Sequence, residues 1–190
     1  MTDTPAGRLI VVSGPSGAGK TTVLKEVFRN FPDRLVASVS ATTRAQRPGE
    51  VDGRDYYFLS PEEFQSRRER GEFLECCEVF RTGDWYGTLL AEVTPRLAAG
   101  KWVVLEIDVQ GTLAVLRKHP EAVTIFVRPS SIEELQRRLR DRGTEDEEKL
   151  RRRLTVAAEE LTYADRYQHQ IVNDDLPRAV HEICTLLGSL

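Results

Sequence analysis

The residues with the plainest chemical meaning run Gly14-Pro15-Ser16-Gly17-Ala18-Gly19-Lys20-Thr21. They satisfy G-x-x-x-x-G-K-[ST], directly after the apolar run Leu9 to Val12 and directly before an amphipathic run carrying Val23, Leu24, Val27 and Phe28. Glycines let such a loop curl until successive backbone N–H groups point inward, and a helix N-terminus behind it adds partial positive charge. That is a cradle for phosphate. Lys20 would reach the β- and γ-phosphates, and the Thr21 hydroxyl would bind Mg²⁺. With glycine near 7% of residues, a chance match arises at roughly a few starts per hundred thousand. By itself the motif leaves kinases, GTPases and ATPase motors open.

A loop of this kind needs a strand before it and a helix after it, and the chain alternates such elements. Apolar, β-branched runs at Leu9 to Val12, Leu35 to Val39, Trp102 to Ile107, Val123 to Val127 and Ile171 to Val172 predict strands buried on both faces, hence a parallel sheet covered by helices. Ser60-Pro61-Glu62-Glu63 and Ser131-Ile132-Glu133-Glu134 are helix starts, Gly100 and Gly143 are helix stops, and Asp174 and Asp175 can cap the last helix. The aromatic- and glycine-rich stretch Ser40 to Thr94 breaks the rhythm and reads as an inserted, mostly β lobe. Arg138 to Arg153, dense in charge and nearly without apolar residues, reads as a solvated, mobile second insert. The 190 residues then form one α/β domain, with a core of about 7–39 and 95–190.

Composition narrows the function. A net charge of −3, with 40% hydrophobic and 30% charged residues, excludes a disordered or collagen-like chain and speaks against a nucleic-acid binder. Three cysteines (Cys76, Cys77 and Cys184) lack zinc-site spacing and fit a reducing cytosol. No apolar run approaches the roughly 20 residues of a membrane span, and the first residues lack a signal-peptide layout. Nothing in the sequence speaks to oligomeric state.

Seven ordered blocks make the chemistry more specific: SGPSGAGKT, SVSATTRAQRPGEVDGRDYYF, GEFLE, WYGT, LEIDVQG, RLRDRGTE and IVNDD. In them the chain resembles the guanylate kinases, which move a phosphoryl group from ATP to GMP, over nearly its whole length. The resemblance implies a three-layer P-loop fold with a central parallel sheet, a mostly β GMP-binding insert (about 40–94) and a helical lid (about 138–153). It implies GMP contacts at Ser40, Arg44, Arg47, Tyr56, Tyr86 and Thr88, the arginines and tyrosines holding the phosphate, which suits a planar, always-charged fork. It makes Glu75 the guanine reader, since a carboxylate offers two acceptors to the N1–H and N2–H₂ donors and would repel adenine N1. Glu106 and Asp108, two acids at the carboxyl end of a strand, divide in this reading into a guanine contact (Glu106) and a group serving the Mg²⁺ water shell or local arginines (Asp108). The nucleotide side is implied at Gly14 to Thr21, with Arg138, Arg142 and Arg153 as lid arginines and Asn173 near adenine.

Three departures from the family pattern stand out: a connection at Arg81-Thr82-Gly83-Asp84 longer by about two residues, Glu106 in place of aspartate, and Trp85 in place of tyrosine. The longer connection bears on where Tyr86 and Thr88 stand, while the Glu106 and Trp85 exchanges leave the required charges in place. The implied mechanism is in-line attack by the GMP phosphate on the γ-phosphoryl group, with the two nucleotides facing one another at the carboxyl edge of the sheet. Positioning and charge neutralisation do the catalysis there, without a protein nucleophile. Two rivals are another monophosphate kinase, which Glu75 and Ser40 argue against, and a silent protein-binding module, which the intact loop argues against.

Overall fold

The computed structural model describes residues 6–78, 83–141 and 147–190. In chain order the elements are β1 (Arg8–Ser13), α1 (Lys20–Asn30), β2 (Leu35–Ala37), β3 (Ser40–Thr42), β4 (Tyr57–Phe58), α2 (Pro61–Glu69), β5 (Phe73–Glu78), β6 (Trp85–Leu89), α3 (Leu90–Ala98), β7 (Trp102–Glu106), α4 (Val109–Lys118), β8 (Val123–Arg128), α5 (Ile132–Asp141), α6 (Glu147–Leu161), β9 (His169–Val172) and α7 (Leu176–Gly188). One sheet has the order β2-β7-β1-β8-β9 and a second the order β4-β3-β6-β5. The pairs β2–β7 and β8–β9 are parallel, as the doubly apolar strand sequences require. The predicted run Leu35 to Val39 is shorter in the structure and ends at Ala37.

Two compact units divide the chain: residues up to Val11 with Asp33–Val123, and Val12–Pro32 with Thr124–Leu190. In the first, α4 and α3 cover β7 through a core that includes Leu9, Val103, Leu105, Val93 and Val115, all 5% exposed or less. The second sheet belongs to this unit. Its apolar face, carrying Ala41, Phe73 and Leu89, packs on Phe64 of α2, whose ring stacks on Phe73 at 4.5 Å. Ser60 caps α2 by accepting from Glu63 N–H at 3.1 Å, and Pro61 follows at the first position.

The second unit holds β8, β9, α1, α5, α6 and α7, with α7 packed on β9 and on α1, and α5 packed on α6. The stretch from Arg138 to Arg153 is helical wherever it is described, as expected, but it is not wholly solvated: its two leucines, Leu139 and Leu150, are 3% and 6% exposed. They join Leu135 and Ala157 in a seam between α5 and α6. The charge-rich window holds too few apolar residues to look buried, but residues flanking it complete the stripe. Burying each leucine contributes about 1.5–3 kcal/mol. Gly143 and Arg142 lie outside the described residues. Asp175 caps α7, accepting from Arg178 N–H at 2.7 Å, while Asp174 instead accepts from Ser130 N–H at 3.0 Å.

Candidate active site

Strand register builds the polar cluster of the first unit. Ser40 pairs with Thr88, and Thr88 pairs with Glu75, so these residues form one rung across β3, β6 and β5. Two residues along, Thr42, Tyr86 and Cys77 form the next rung on the same face. A shift of register between Phe73 and Glu75 makes this possible. Without it, residues two apart would share a face; the bulge at Leu74 turns Phe73 to the core and Glu75 to the polar side. Glu75 is 5% exposed and accepts from the Thr88 hydroxyl at 2.7 Å. Burial pushes its carboxyl up to about 7, with Asp108 pushing the same way and Thr88 opposing.

Asp108 reaches this face from α4. The strand ends at Glu106, and Asp108 is the N-cap of α4, accepting from Gly111 N–H at 2.7 Å. The Cys77 thiol lies 3.5 Å from the same carboxylate oxygen, and burial together with Asp108 pushes that thiol's pKa upward. Asp108 is therefore an acid beside Glu75. Glu106 acts on the Tyr56 hydroxyl, whose pKa is raised by burial first and by Tyr86 and Glu106 after it.

The basic grip lies in the same unit. Arg44 donates through Nε to the Tyr86 hydroxyl at 3.1 Å and through one terminal nitrogen to both oxygens of Glu50, at 2.8 and 3.0 Å. Its guanidinium carbon stands 5.4 Å from the Tyr56 ring centroid, and the Tyr56 and Tyr86 rings meet edge to face at 5.8 Å. Arg47 is exposed, with its backbone N–H donating to Glu50 at 2.8 Å. Glu50 was not singled out from the sequence, yet it anchors both arginine positions. A carboxylate just past the Pro48-Gly49 turn was the signal available. Glu92 was missed as well: it accepts from Tyr57 at 2.8 Å, Arg96 at 2.6 Å and Val39 N–H at 3.1 Å, which ties α3 to the lobe.

The phosphate loop forms the site of the second unit. Gly14, Gly17 and Gly19 have φ of 138°, 92° and 85°, and a Cβ on Gly14 would lie 1.9 Å from the Val127 carbonyl oxygen. Side chains are thus excluded there by the neighbouring strand as well as by conformation. The Lys20 ammonium donates to the carbonyls of Gly14 at 2.6 Å and Pro15 at 3.3 Å. Thr21 is the second residue of α1, and its side chain is exposed. Asn173 is buried and donates to the Ala18 carbonyl at 2.8 Å, Arg153 donates to the Ser16 hydroxyl at 2.6 Å, and Arg138 donates to the Asn173 carbonyl at 2.8 Å. Arg138 is also paired with Glu134 at 2.7 Å, and this partnership with Arg137 and Arg138 holds the Glu134 carboxyl down at about 2. A cavity of about 350 Å³ opens beside Gly17, Gly19, Thr22, Arg138 and Asn173, within the range of nucleotide-sized sites.

A parallel sheet, a glycine cradle opening a helix and a polar β lobe define a P-loop nucleotide-binding protein of the α/β class. The comparisons narrow the class. The family model described as guanylate kinase matches residues 6–190. A guanylate kinase of Rhodopirellula baltica is 56% identical over 182 residues, 95% of this chain and 87% of the relative, and one of Gloeobacter violaceus is 53% identical over 96% and 88%. The crystal structure of guanylate kinase from Anaplasma phagocytophilum superposes with a TM-score of 0.77 at 34% identity, over 97% of this chain and 86% of that one. The chain belongs to the guanylate kinase family.

Proposed function

We propose that this enzyme transfers the γ-phosphoryl group of ATP to GMP, giving ADP and GDP, and that dGMP is accepted in the same place. The observation that carries the reading is the rung of Ser40, Thr88 and Glu75 with Asp108 at its edge: two carboxylates and two hydroxyls together, Glu75 and Thr88 buried and Ser40 and Asp108 half-buried. Glu75 and Asp108 accept from guanine N1–H and N2–H₂, a pairing that adenine cannot reproduce. Arg44, Arg47, Tyr56 and Tyr86 hold the monophosphate, and Glu50 sets where the arginines stand. Glu106, next to Tyr56, is left for the phosphate side, which reverses the division of the two acids that motif position suggested.

ATP lies in the glycine cradle. Lys20, Arg138, Arg142 and Arg153 neutralise its phosphates, and Asn173 borders the adenine end. The Thr21 hydroxyl is a hard oxygen donor one residue from Lys20, which fits Mg²⁺, a cation held by few protein ligands and by substrate phosphates. Mg²⁺ when bound supplies charge neutralisation on the transferring group. The acceptor is already an anion, so the protein has to hold, orient and exclude water rather than form a covalent intermediate. We take the chain as one kinase domain with residues 40–94 gripping the monophosphate and 138–153 as the ATP-side lid. An enzyme drawing on the free ATP and GMP pools belongs in the cytoplasm; no helix among the described residues is long and apolar enough to cross a membrane. A coupled assay with ATP, Mg²⁺ and each of GMP, dGMP, AMP, UMP and CMP tests the reading. Turnover with GMP and dGMP alone is expected, and a preference for AMP or a pyrimidine would sink it.

A further inference from the structure

Gly111 stands in the first turn of α4, buried and in ordinary helical conformation, where glycine weakens a helix relative to alanine and no positive φ calls for it. A glycine that helix chemistry disfavours needs another reason. Its surroundings supply one. A Cβ built on Gly111 would lie 3.0 Å from Glu75 Oε2, 3.2 Å from Asp108 Oδ1 and 3.3 Å from Ile107 Cδ1. The two carboxylates from β5 and from the helix cap thus converge on the space a side chain would fill. The geometry points to Gly111 as a specificity-determining positioning residue: its bare Cα lets Glu75 and Asp108 approach one point, and its N–H fixes Asp108 there, so that one ring edge bearing adjacent N–H donors meets both. The Thr88 hydroxyl holds Glu75 by Oε1, leaving Oε2 toward Gly111, and the Cys77 thiol lies 3.5 Å from the Asp108 Oδ1 that Gly111 also holds.

The inference rests on the guanine reading above, and the test separates the two. In Gly111→Ala the Michaelis constant for GMP should rise about tenfold or more, the range of a lost bidentate contact, and the kcat/KM preference for GMP over AMP should fall with it. kcat and the Michaelis constant for ATP should stay within about twofold and Tm close to that of the parent, because the helix preference for alanine offsets part of the crowding at the cap. A GMP constant within about twofold of the parent, or a parallel loss in every parameter together with Tm, would overturn the role. Glu75→Gln in the same panel is the control: if it too leaves GMP recognition unchanged, the guanine assignment itself falls, whereas a Glu75→Gln effect beside a silent Gly111→Ala sinks only the present inference. Glu75→Asp withdraws the carboxylate by one methylene, so adding Gly111→Ala to it should be milder by about fivefold or more than in the parent. Should the single alanine variant not fold, the double variant is compared with Glu75→Asp alone, and a GMP loss there as large as about tenfold overturns the inference.

Discussion

Glu75 is where charge state and recognition meet. Its carboxyl titrates at about 7 in the fold and near 4.5 when unfolded, so between these values the folded chain binds more protons and stability falls as pH rises. The full shift corresponds to about 3 kcal/mol, lost progressively from about pH 4.5 through about pH 7. Glu75→Gln should flatten that slope, as measured by urea unfolding at pH 5, 6, 7 and 8; an equally steep slope in the variant would place the titration elsewhere. Guanine recognition runs the other way, because only the ionised carboxylate offers two acceptors. The Michaelis constant for GMP should therefore fall as pH rises from 6 to 8, and Glu75→Gln should raise it by about 5- to 150-fold while removing that dependence. Lys20, held by the carbonyls of Gly14 and Pro15, faces the phosphate cradle rather than the core. Lys20→Ala should lower kcat at least about a hundredfold with Tm essentially unchanged, and near-normal turnover would refute the cradle assignment.

At the scale of elements, the α5–α6 seam decides whether the lid-side arginines have a rigid base. Arg138 and Arg153 project from helices whose contact is Leu135, Leu139, Leu150 and Ala157, and a Cβ on Gly17 of the loop would lie 2.9 Å from Leu139 Cδ2. Leu150→Ala should destabilise this hairpin by about 2–5 kcal/mol. Hydrogen exchange should show the loss concentrated in α5 and α6, and the Michaelis constant for ATP should rise more than that for GMP. Protection lost evenly along the chain would mean that the hairpin is not a separable element. Glu92 has a comparable part in the β lobe, joining α3, Tyr57 and the backbone at Val39.

For the molecule as a whole, the two units predict two footprints. A non-hydrolysable ATP analogue should protect amides of the glycine loop, α5 and residues around Asn173, whereas GMP should protect β3, β5, β6 and the start of α4. Each ligand at a hundred times its dissociation constant should add about 2.7 kcal/mol to stability. GMP protection confined to the glycine loop would reverse the two assignments.

The glycine loop between β1 and α1 was legible from residue order alone, because its glycines, lysine and threonine are local and closely spaced. The doubly apolar strands and the Ser60, Ser131 and Asp175 helix starts were legible for the same reason, each depending on residues within one or two turns. What residue order could not decide was which side chains share a face. Phe73 and Glu75 are two apart and by alternation belong together, but the bulge at Leu74 sends one to the core and the other to the site. Glu106 and Asp108 likewise look like partners, yet the strand stops between them and the helix cap carries Asp108 to Glu75, some thirty residues away in sequence. Glu50, Glu92 and the buried Leu139 and Leu150 gain their meaning only from partners across the fold. Contacts of that kind are set by packing and register, which no local pattern encodes.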